Sequence, residues 1–593
     1  MGRWDRIVFG VLAGATAAYV IARSLLVPMV HDECASVLWF VQPGEWLPDR
    51  SHWDANNHFL STGIGVFLYR AFGMGTAVLR AGSIAAFALY VWATWRLGHR
   101  LHDRRIRWCF WAALLLCPFV LDFFSMFRGY GFALAGIMIA VDGLFSYATG
   151  KSMRSLVQAL LGCLLGGAAI VALVPVWGIL VAVLGTLLIR HLVSLSAGQR
   201  LLQALSIMLL GFLPMAYAAV VSLRLQELGL LYHGSLEGFV AVTVASLARY
   251  VVGSDAWPVL AVILCAAFFA MAAATVRFRS TGAFSSPLVL VTFLLAADVL
   301  ARIVLAHGFR VNFPEDRAGI HFVPLLLIAV VLAMDAITLR WKAAVWSCLP
   351  LLFLPARSLW TANLDHCLLW PEQCVPRRFV QRISQEENAL GRPLLIGAYH
   401  QLALAIPFAA RAAGVTPPSV QGTDFPEGPH DLRVVDRRFI GKARKGFEVL
   451  DSASGPGLWL LRRLTYGKLL ETSRTASSAW SGAEEFHELA VLDTALVRSG
   501  ATRVLVSVPL TLPRSSPDIT CVVQITDGTG KDICYETSQP CVLRPDWMGE
   551  PFVMLRSFPP LPSAARGVVY FYDPKRKGLR IGEGTVTMWK TAP

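Results

Sequence analysis

A carboxylate pair, Asp32 and Glu33, follows directly on the first long apolar segment, and Trp53, Asp54, Asn57 and His58 precede the next helical run. Carboxylates beside a bilayer are costly and usually mark function. One of the two can act as a general base on a hydroxyl or amine, while the other orients it or a metal ion. Adjacent side chains on a helix diverge by about 100°, so both need not face one site. His58, read as an exposed imidazole at a helix start, can assist proton transfer or bind a phosphate oxygen or a metal. An Asn at positions 56 and 57 can cap that helix. The competing reading is a solvated helix end and an interfacial histidine with no task.

Two arginine motifs follow. Arg128 lies in Phe-Arg-Gly-Tyr-Gly, between two apolar segments. A guanidinium so close to hydrocarbon needs a partner, and a lipid phosphate suits it because the fork binds bidentately. Gly129 and Gly131 allow close backbone approach, and Tyr130 offers a hydroxyl or a stacking face. The alternative is a snorkelling arginine. Arg317 and His321 stand four apart, a spacing that predicts one shared helical face able to hold a monophosphate or diphosphate. The alternative is an ordinary helix start, with Glu315 and Asp316 favoured by the dipole. Asp298 and Arg302, also four apart, are expected to pair with each other.

The elements that must position these residues are read from composition. The 593 residues are 55% apolar and 16% charged, against about 25% charged in soluble proteins. The deficit falls in residues 1–360. A span needs about 20 apolar residues, and spans are expected near 7–30, 76–96, 108–124, 130–148, 155–173, 175–194, 201–223, 256–276, 286–306, 319–338 and 342–357, about eleven in all. The first lacks a small-residue cleavage site before His31 and reads as a retained anchor. Residues 58–72 are apolar at helical spacing but too short to span, which suits an interfacial helix; 235–252 are similar. The net charge of +14 sits largely in short loops, among them Arg96, Arg100, Arg104, Arg105 and Arg107. Topology therefore explains it better than nucleic acid does, and it puts loop 31–75 and everything after 357 on the external side.

After about residue 365 the text changes. Residues 390–463 suggest a small α/β unit, and from about 480 short strands split by turn residues predict a β-sandwich. The expected domains are 1–360 in the membrane, 361–470 as an extracytoplasmic α/β region, and 471–593 as an extracytoplasmic sandwich. Of the 11 cysteines, Cys367/Cys374 and Cys534/Cys541 are spaced to pair as disulfides in an oxidising compartment. No Walker, dinucleotide, HExxH or DNA-binding signature is present.

His31-Asp32-Glu33, Asp54-Ala-Asn-Asn-His58, Arg128-Gly-Tyr130 and Pro314-Glu-Asp-Arg317 together resemble the C-type-fold (GT-C) glycosyltransferases, in the style of protein O-mannosyltransferases and lipid A aminoarabinose transferases. The resemblance covers roughly residues 1–360. It implies a polytopic α fold, a polyprenyl-phosphate-linked sugar donor, inversion at the anomeric carbon, and transfer on the periplasmic face of a bacterial inner membrane. It puts the acceptor's base or a metal neighbour at Asp32, with Glu33 beside it and His58 in support. Arg128, Tyr130, Arg317 and His321 are then the donor-phosphate candidates, and Trp53, Asp54 and Asn57 the acceptor or sugar candidates. The acceptor is a glycan, lipid or protein. A divalent ion (Mg or Mn), if one takes part, falls to Asp32, Glu33 and His58. The chain departs from the mannosyltransferases in having Asn-Asn-His where they carry proline-containing text, and the sandwich is not shared by all members. Rival readings are a polysaccharide polymerase or ligase using a diphosphate-linked glycan, a lipid or sugar flippase, and a receptor-like scaffold worked by its sandwich.

Overall fold

A computed structural model of the chain describes residues 2–231, 233–281, 285–425, 427–466, 469–512 and 516–591. The chain divides into two compact units, one of residues 1–26 and 46–364, the other of residues 27–45 and 365–593.

The first unit is helical. Its early helices are α1 (Arg3–Leu26), α3 (Phe59–Phe72), α4 (Thr76–Gly98), α5 (Arg104–Leu115), α6 (Pro118–Phe124), α7 (Tyr130–Gly150) and α8 (Met153–Gly167); α2 (His31–Ser36) belongs to the second unit. Among the described residues nine helices are long and apolar enough to cross a membrane. The pair α5–α6, bent by 54° with Pro118 at the first position of its second half, makes a tenth if it is one broken span. The span expected at 155–173 is the difference from eleven: α8 has only 15 residues. Its apolar text runs on past a break at Ala168 that composition does not reveal. The short helix is held instead by close packing on α7. A Cβ on Gly136, Gly143 or Gly162 would overlap backbone of the facing helix, so small residues let the two backbones touch and gain dispersion contacts, as is common between membrane helices. The interfacial helix expected at 58–72 is α3.

The basic loop after α4 is tied down by acids from other helices. Asp142 of α7, its side chain 1% exposed, pairs with Arg96 Nε at 2.5 Å and with Arg100 Nη2 at 2.7 Å, and it accepts from Gln158 Nε2 at 2.8 Å. Asp5 pairs with Arg104 and Arg107. Removing the carboxylate leaves two cations facing each other. Asp142→Ala is expected to lower stability by about 2–3 kcal/mol, below the usual range for a buried pair because both arginines reach water. The thermal unfolding midpoint in detergent reads it.

The second unit opens with α2 (His31–Ser36) and continues with helices Arg377–Leu390 and Leu402–Ala413 around a mixed sheet. Its strands are β1 (Leu395–Tyr399), β2 (Ser419–Thr423), β3 (Leu432–Asp436), β4 (Phe447–Ala453) and β5 (Leu458–Arg463), in the order β2-β1-β3-β5-β4. β1 runs parallel to β2 and β3, and β5 antiparallel to β3 and β4. One face of the amphipathic helix 377–390 buries Phe379, Val380 and Ile383 against Ile396 and Ala398 of β1. Next comes the sandwich, built from β6 (Leu469–Ser477), β7 (Trp480–Gly482), β8 (Phe486–Val491), β9 (Thr502–Leu512), β10 (Thr520–Asp527), β11 (Asp532–Ser538), β12 (Trp547–Phe558), β13 (Ala564–Tyr572), β14 (Leu579–Ile581) and β15 (Gly584–Thr591). One sheet is β11-β10-β13-β8, the other β6-β15-β9-β14-β7 with β12 also on β9. Period-2 alternation sets the core: Val504, Val506, Val508 and Leu510 of β9 meet Cys521, Val523 and Ile525 of β10. The fold is thus a mainly helical polytopic part followed by an α/β unit and a jelly-roll-like sandwich, as the sequence predicts. The proposed disulfides are not formed. Cys374 Sγ sits 3.9 Å from Cys367 Sγ as a thiol contact, and Cys534 and Cys541 are also thiols.

A buried charge cluster joins sheet and sandwich. Asp431 bonds Arg503 of β9 at 2.7 Å, with both side chains 1% exposed, and Arg392 at 3.1 Å. Next to it His430 packs where Gly397 has no side chain; a Cβ there would overlap the ring. Burial first, then Arg433 and Arg503, push the imidazole down to about 3, against a weaker pull from Asp431. The folded value lies below the unfolded one, so the unfolded chain takes up the proton first. Stability from this group is full above about pH 6.5 and is lost as pH falls toward 3, by about 1.4 kcal/mol per pH unit. His430→Gln is expected to flatten the fall in unfolding midpoint between pH 6.5 and 4 relative to the parent protein.

Candidate functional site

The first unit gathers residues from three separate loops. The 46–58 loop is braced by Asn57, whose Nδ2 donates to Trp46 O at 3.0 Å and to Ser51 Oγ at 3.2 Å. Asp54 Oδ1 accepts from Asn56 N at 2.7 Å, a local turn. Neither Asn caps α3: His58 takes the N-cap position and caps nothing with its side chain. His58 is not the exposed imidazole expected, being 5% exposed. Its Nδ1 lies 3.1 Å from Ala169 O, which as a carbonyl can only accept. Leu60 N donates to Ala168 O at 3.0 Å. The break after α8 is therefore the shelf on which His58 rests.

The turn between α6 and α7 carries Arg128. Arg23 Nη2 pairs with Asp122 of α6 at 2.6 Å, and Ser83 Oγ donates to Met126 O at 2.6 Å, so the turn is held from α1 and α4. Arg128 is 2% exposed. Its Nη1 donates to Asn56 Oδ1, and its guanidinium lies 5.7 Å from the Tyr130 ring centroid. That ring stands edge-on to His58 at 5.1 Å. Gly129 is needed for its size: a Cβ there would run into Ala169 O and the His58 side chain. Arg317 comes from a third loop, with Nη2 3.1 Å from His233 Nε2. Burial, then Arg128, then Arg317 hold the His58 imidazole well below its ordinary 6.5, so it is neutral at physiological pH.

His321 does not stand with Arg317 on one helical face. Arg317 lies in a short 3₁₀ turn, Asp316–Gly319, that begins at a positive φ of 49° on Asp316, and the α-helix starts only at Phe322. Four-residue spacing therefore does not align the pair. Instead His321 is fully buried, with Nε2 2.7 Å from Asp298 Oδ2. Asp298 also pairs with Arg302 at 3.2 Å as expected, and Arg302 Nη2 donates to Ala172 O at 2.5 Å. This trio braces the far side of the segment that seats His58.

In the second unit, α2 carries the acidic pair. Glu33 is fully buried, and its Oε2 accepts from Val30 N at 3.2 Å, closing the start of the helix. Ser36 Oγ donates to Asp32 O at 2.9 Å, and His31 Nδ1 contacts Gln401 O at 3.1 Å. Trp53, in the first unit, is half-buried. Among the described residues no three His, Cys, Asp or Glu side chains gather as a metal ion would require. Asp32, Glu33 and His58 are not such a group. The sequence reading missed Asn56 as the partner of Arg128, His233 as the partner of Arg317, and the Ala168–Ala172 segment. Only Asn56 had a signal, in the Asn-Asn-His text.

The chain is similar over 76% of its length, and over 97% of the other, to a crystal structure of ArnT from Cupriavidus metallidurans in the apo state, at 15% identity and a TM-score of 0.43. It is also similar to the arabinosyltransferase EmbB from Mycobacterium smegmatis (11% identity, TM-score 0.36, covering 100% of this chain and 65% of that one) and to a mutant of the arabinofuranosyltransferase AftD from mycobacteria (11%, 0.40, covering 99% and 61%). No protein-family model matches the chain, and no curated protein does.

Proposed function

We propose that the chain is a membrane glycosyltransferase that moves a sugar from a polyprenyl-phosphate donor to an acceptor on the external face of a bacterial inner membrane. The observation that carries this reading is a buried guanidinium, Arg128, packed beside Tyr130 and a buried histidine at the end of an apolar span. A guanidinium so placed suits a phosphate anchored in lipid, and Arg317 is the second one proposed to hold it. Residues 1–360 supply the catalytic domain, and 361–470 and 471–593 are external domains. The face follows from the Lys and Arg bias of the short loops.

In the proposed reaction an acceptor hydroxyl or amine attacks the anomeric carbon from the side opposite the phosphate, so the configuration inverts. The new glycosidic bond forms as the carbon–oxygen bond to the phosphate breaks, and the electron pair leaves with polyprenyl phosphate. Arg128 and Arg317 stabilise the charge that grows there, with Tyr130 supporting Arg128. Asp32 takes the acceptor's proton. Trp53 and Asp54 are the proposed sugar contacts. A lipid monophosphate is already a competent leaving group, so no nucleotide is needed.

The test uses the purified full chain in proteoliposomes with polyprenyl phosphates carrying a labelled sugar. Label found covalently on an acceptor, with polyprenyl phosphate released, supports the reading. Label that crosses the bilayer still on its lipid counts for a flippase, and preference for a diphosphate-linked oligosaccharide counts for a polymerase or ligase.

A further inference from the structure

Two successive buried acceptors stand unanswered in the site. Asn57 and His58 are each 5% exposed. Both Asn57 amide protons are used on Trp46 O and Ser51 Oγ, which fixes its Oδ1 as the remaining atom, and that oxygen has no hydrogen-bond partner. His58 Nδ1 must carry the proton, because its partner is the Ala169 carbonyl. That leaves Nε2 as a bare lone pair, also buried and without a partner. A buried acceptor left unmade is costly, so a site that keeps two is complementary to something that donates. Phosphate oxygens, fully ionised, only accept. They answer the guanidiniums of Arg128 and Arg317 but not Asn57 or His58.

We propose that Asn57 Oδ1 and His58 Nε2 receive hydroxyl protons from the sugar of the donor, so that the site distinguishes a glycosylated lipid phosphate from the bare lipid phosphate it releases. This rests on the reading of the site as a lipid-phosphate site and deepens it. His58 is then a specificity-determining hydrogen-bond acceptor, neither a phosphate-binding cation nor a metal ligand. Its depressed basicity, caused by burial and by Arg128 and Arg317, keeps the lone pair available throughout the physiological range. The discrimination also has a use in turnover. The product, having lost the sugar hydroxyls, leaves both acceptors unanswered again, which favours its release.

The deciding variant is His58→Asn. Its Nδ2 takes the place of imidazole Nδ1 and keeps the bond to Ala169 O, while the Nε2 acceptor disappears. The probes are undecaprenyl phosphate, bare and carrying glucose, galactose, mannose or arabinofuranose, with dissociation constants measured on the full chain in nanodiscs. The parent protein is expected to bind at least one glycosylated form more tightly than the bare lipid. His58→Asn is expected to weaken that form about tenfold and the bare lipid less than twofold. Equal weakening of both forms, or of neither, overturns the inference while leaving the phosphate site standing. Failure of the parent protein to bind any of these lipids overturns both. As a second readout, ¹⁵N-histidine resonances at pH 6 should show His58 protonated on Nδ1 alone; an imidazolium signal there also overturns the inference.

Discussion

Arg128→Ala is expected to cut sugar transfer at least 100-fold while the protein still inserts and purifies as the parent does. The magnitude follows from its proposed place at the leaving phosphate, where a fixed donor acting on developing charge in a water-poor setting contributes about 10²–10³ in rate. The turn that holds Arg128 is tied by Ser83 to Met126 O and by Arg23 to Asp122, neither of which uses the guanidinium. Arg128→Lys keeps the charge but loses the planar fork, so it should recover only part of the rate. Asn56→Ala, which frees the guanidinium from one neighbour without removing it, should cost about tenfold. The assay is steady-state transfer of labelled sugar from polyprenyl phosphate, with unfolding midpoints as the control. Transfer by Arg128→Ala within a few-fold of the parent would falsify the phosphate assignment.

The features legible in the sequence are those that depend on local text. Apolar runs marked the spans, the short apolar stretch before Arg70 marked α3, and alternation in Thr-Arg-Val-Leu-Val-Ser-Val marked β9 with its inward face. What stayed hidden depends on where a helix starts or on what lies far away in sequence. The four-residue spacing of Arg317 and His321 suggested one face, but a positive φ at Asp316 and a 3₁₀ turn come between them and their helix. His321 then turns to Asp298, 23 residues away in the chain. α8 reads as a span because apolar composition continues past its end, whereas its glycines serve close packing on α7. The pairing of Asn56 with Arg128 spans 72 residues, and nothing in either motif names the other. The residue types of the proposed site were thus visible, while the shelf that seats His58 was not.

For the acidic pair the expected results diverge sharply between neighbours. Asp32→Asn should reduce transfer by about 10³-fold or more, within the range of a lost general base, with little change in stability. Two bonds that hold this turn of helix run through the Glu33 carboxylate to Val30 N and through the Asp32 backbone carbonyl from Ser36, and Asp32→Asn leaves both in place. Glu33→Gln replaces a buried carboxylate by an amide whose oxygen can still accept from Val30 N. Its main effect should be on stability, with transfer reduced less than tenfold. Adjacent helical positions point about 100° apart, so one carboxylate turned inward as a cap leaves the other to face elsewhere. Paired measurement of transfer rate and unfolding midpoint separates the roles. Near-normal turnover by Asp32→Asn, or a larger loss of rate in Glu33→Gln than in Asp32→Asn, would remove Asp32 as the base and move the search for it to the other side of the same short helix.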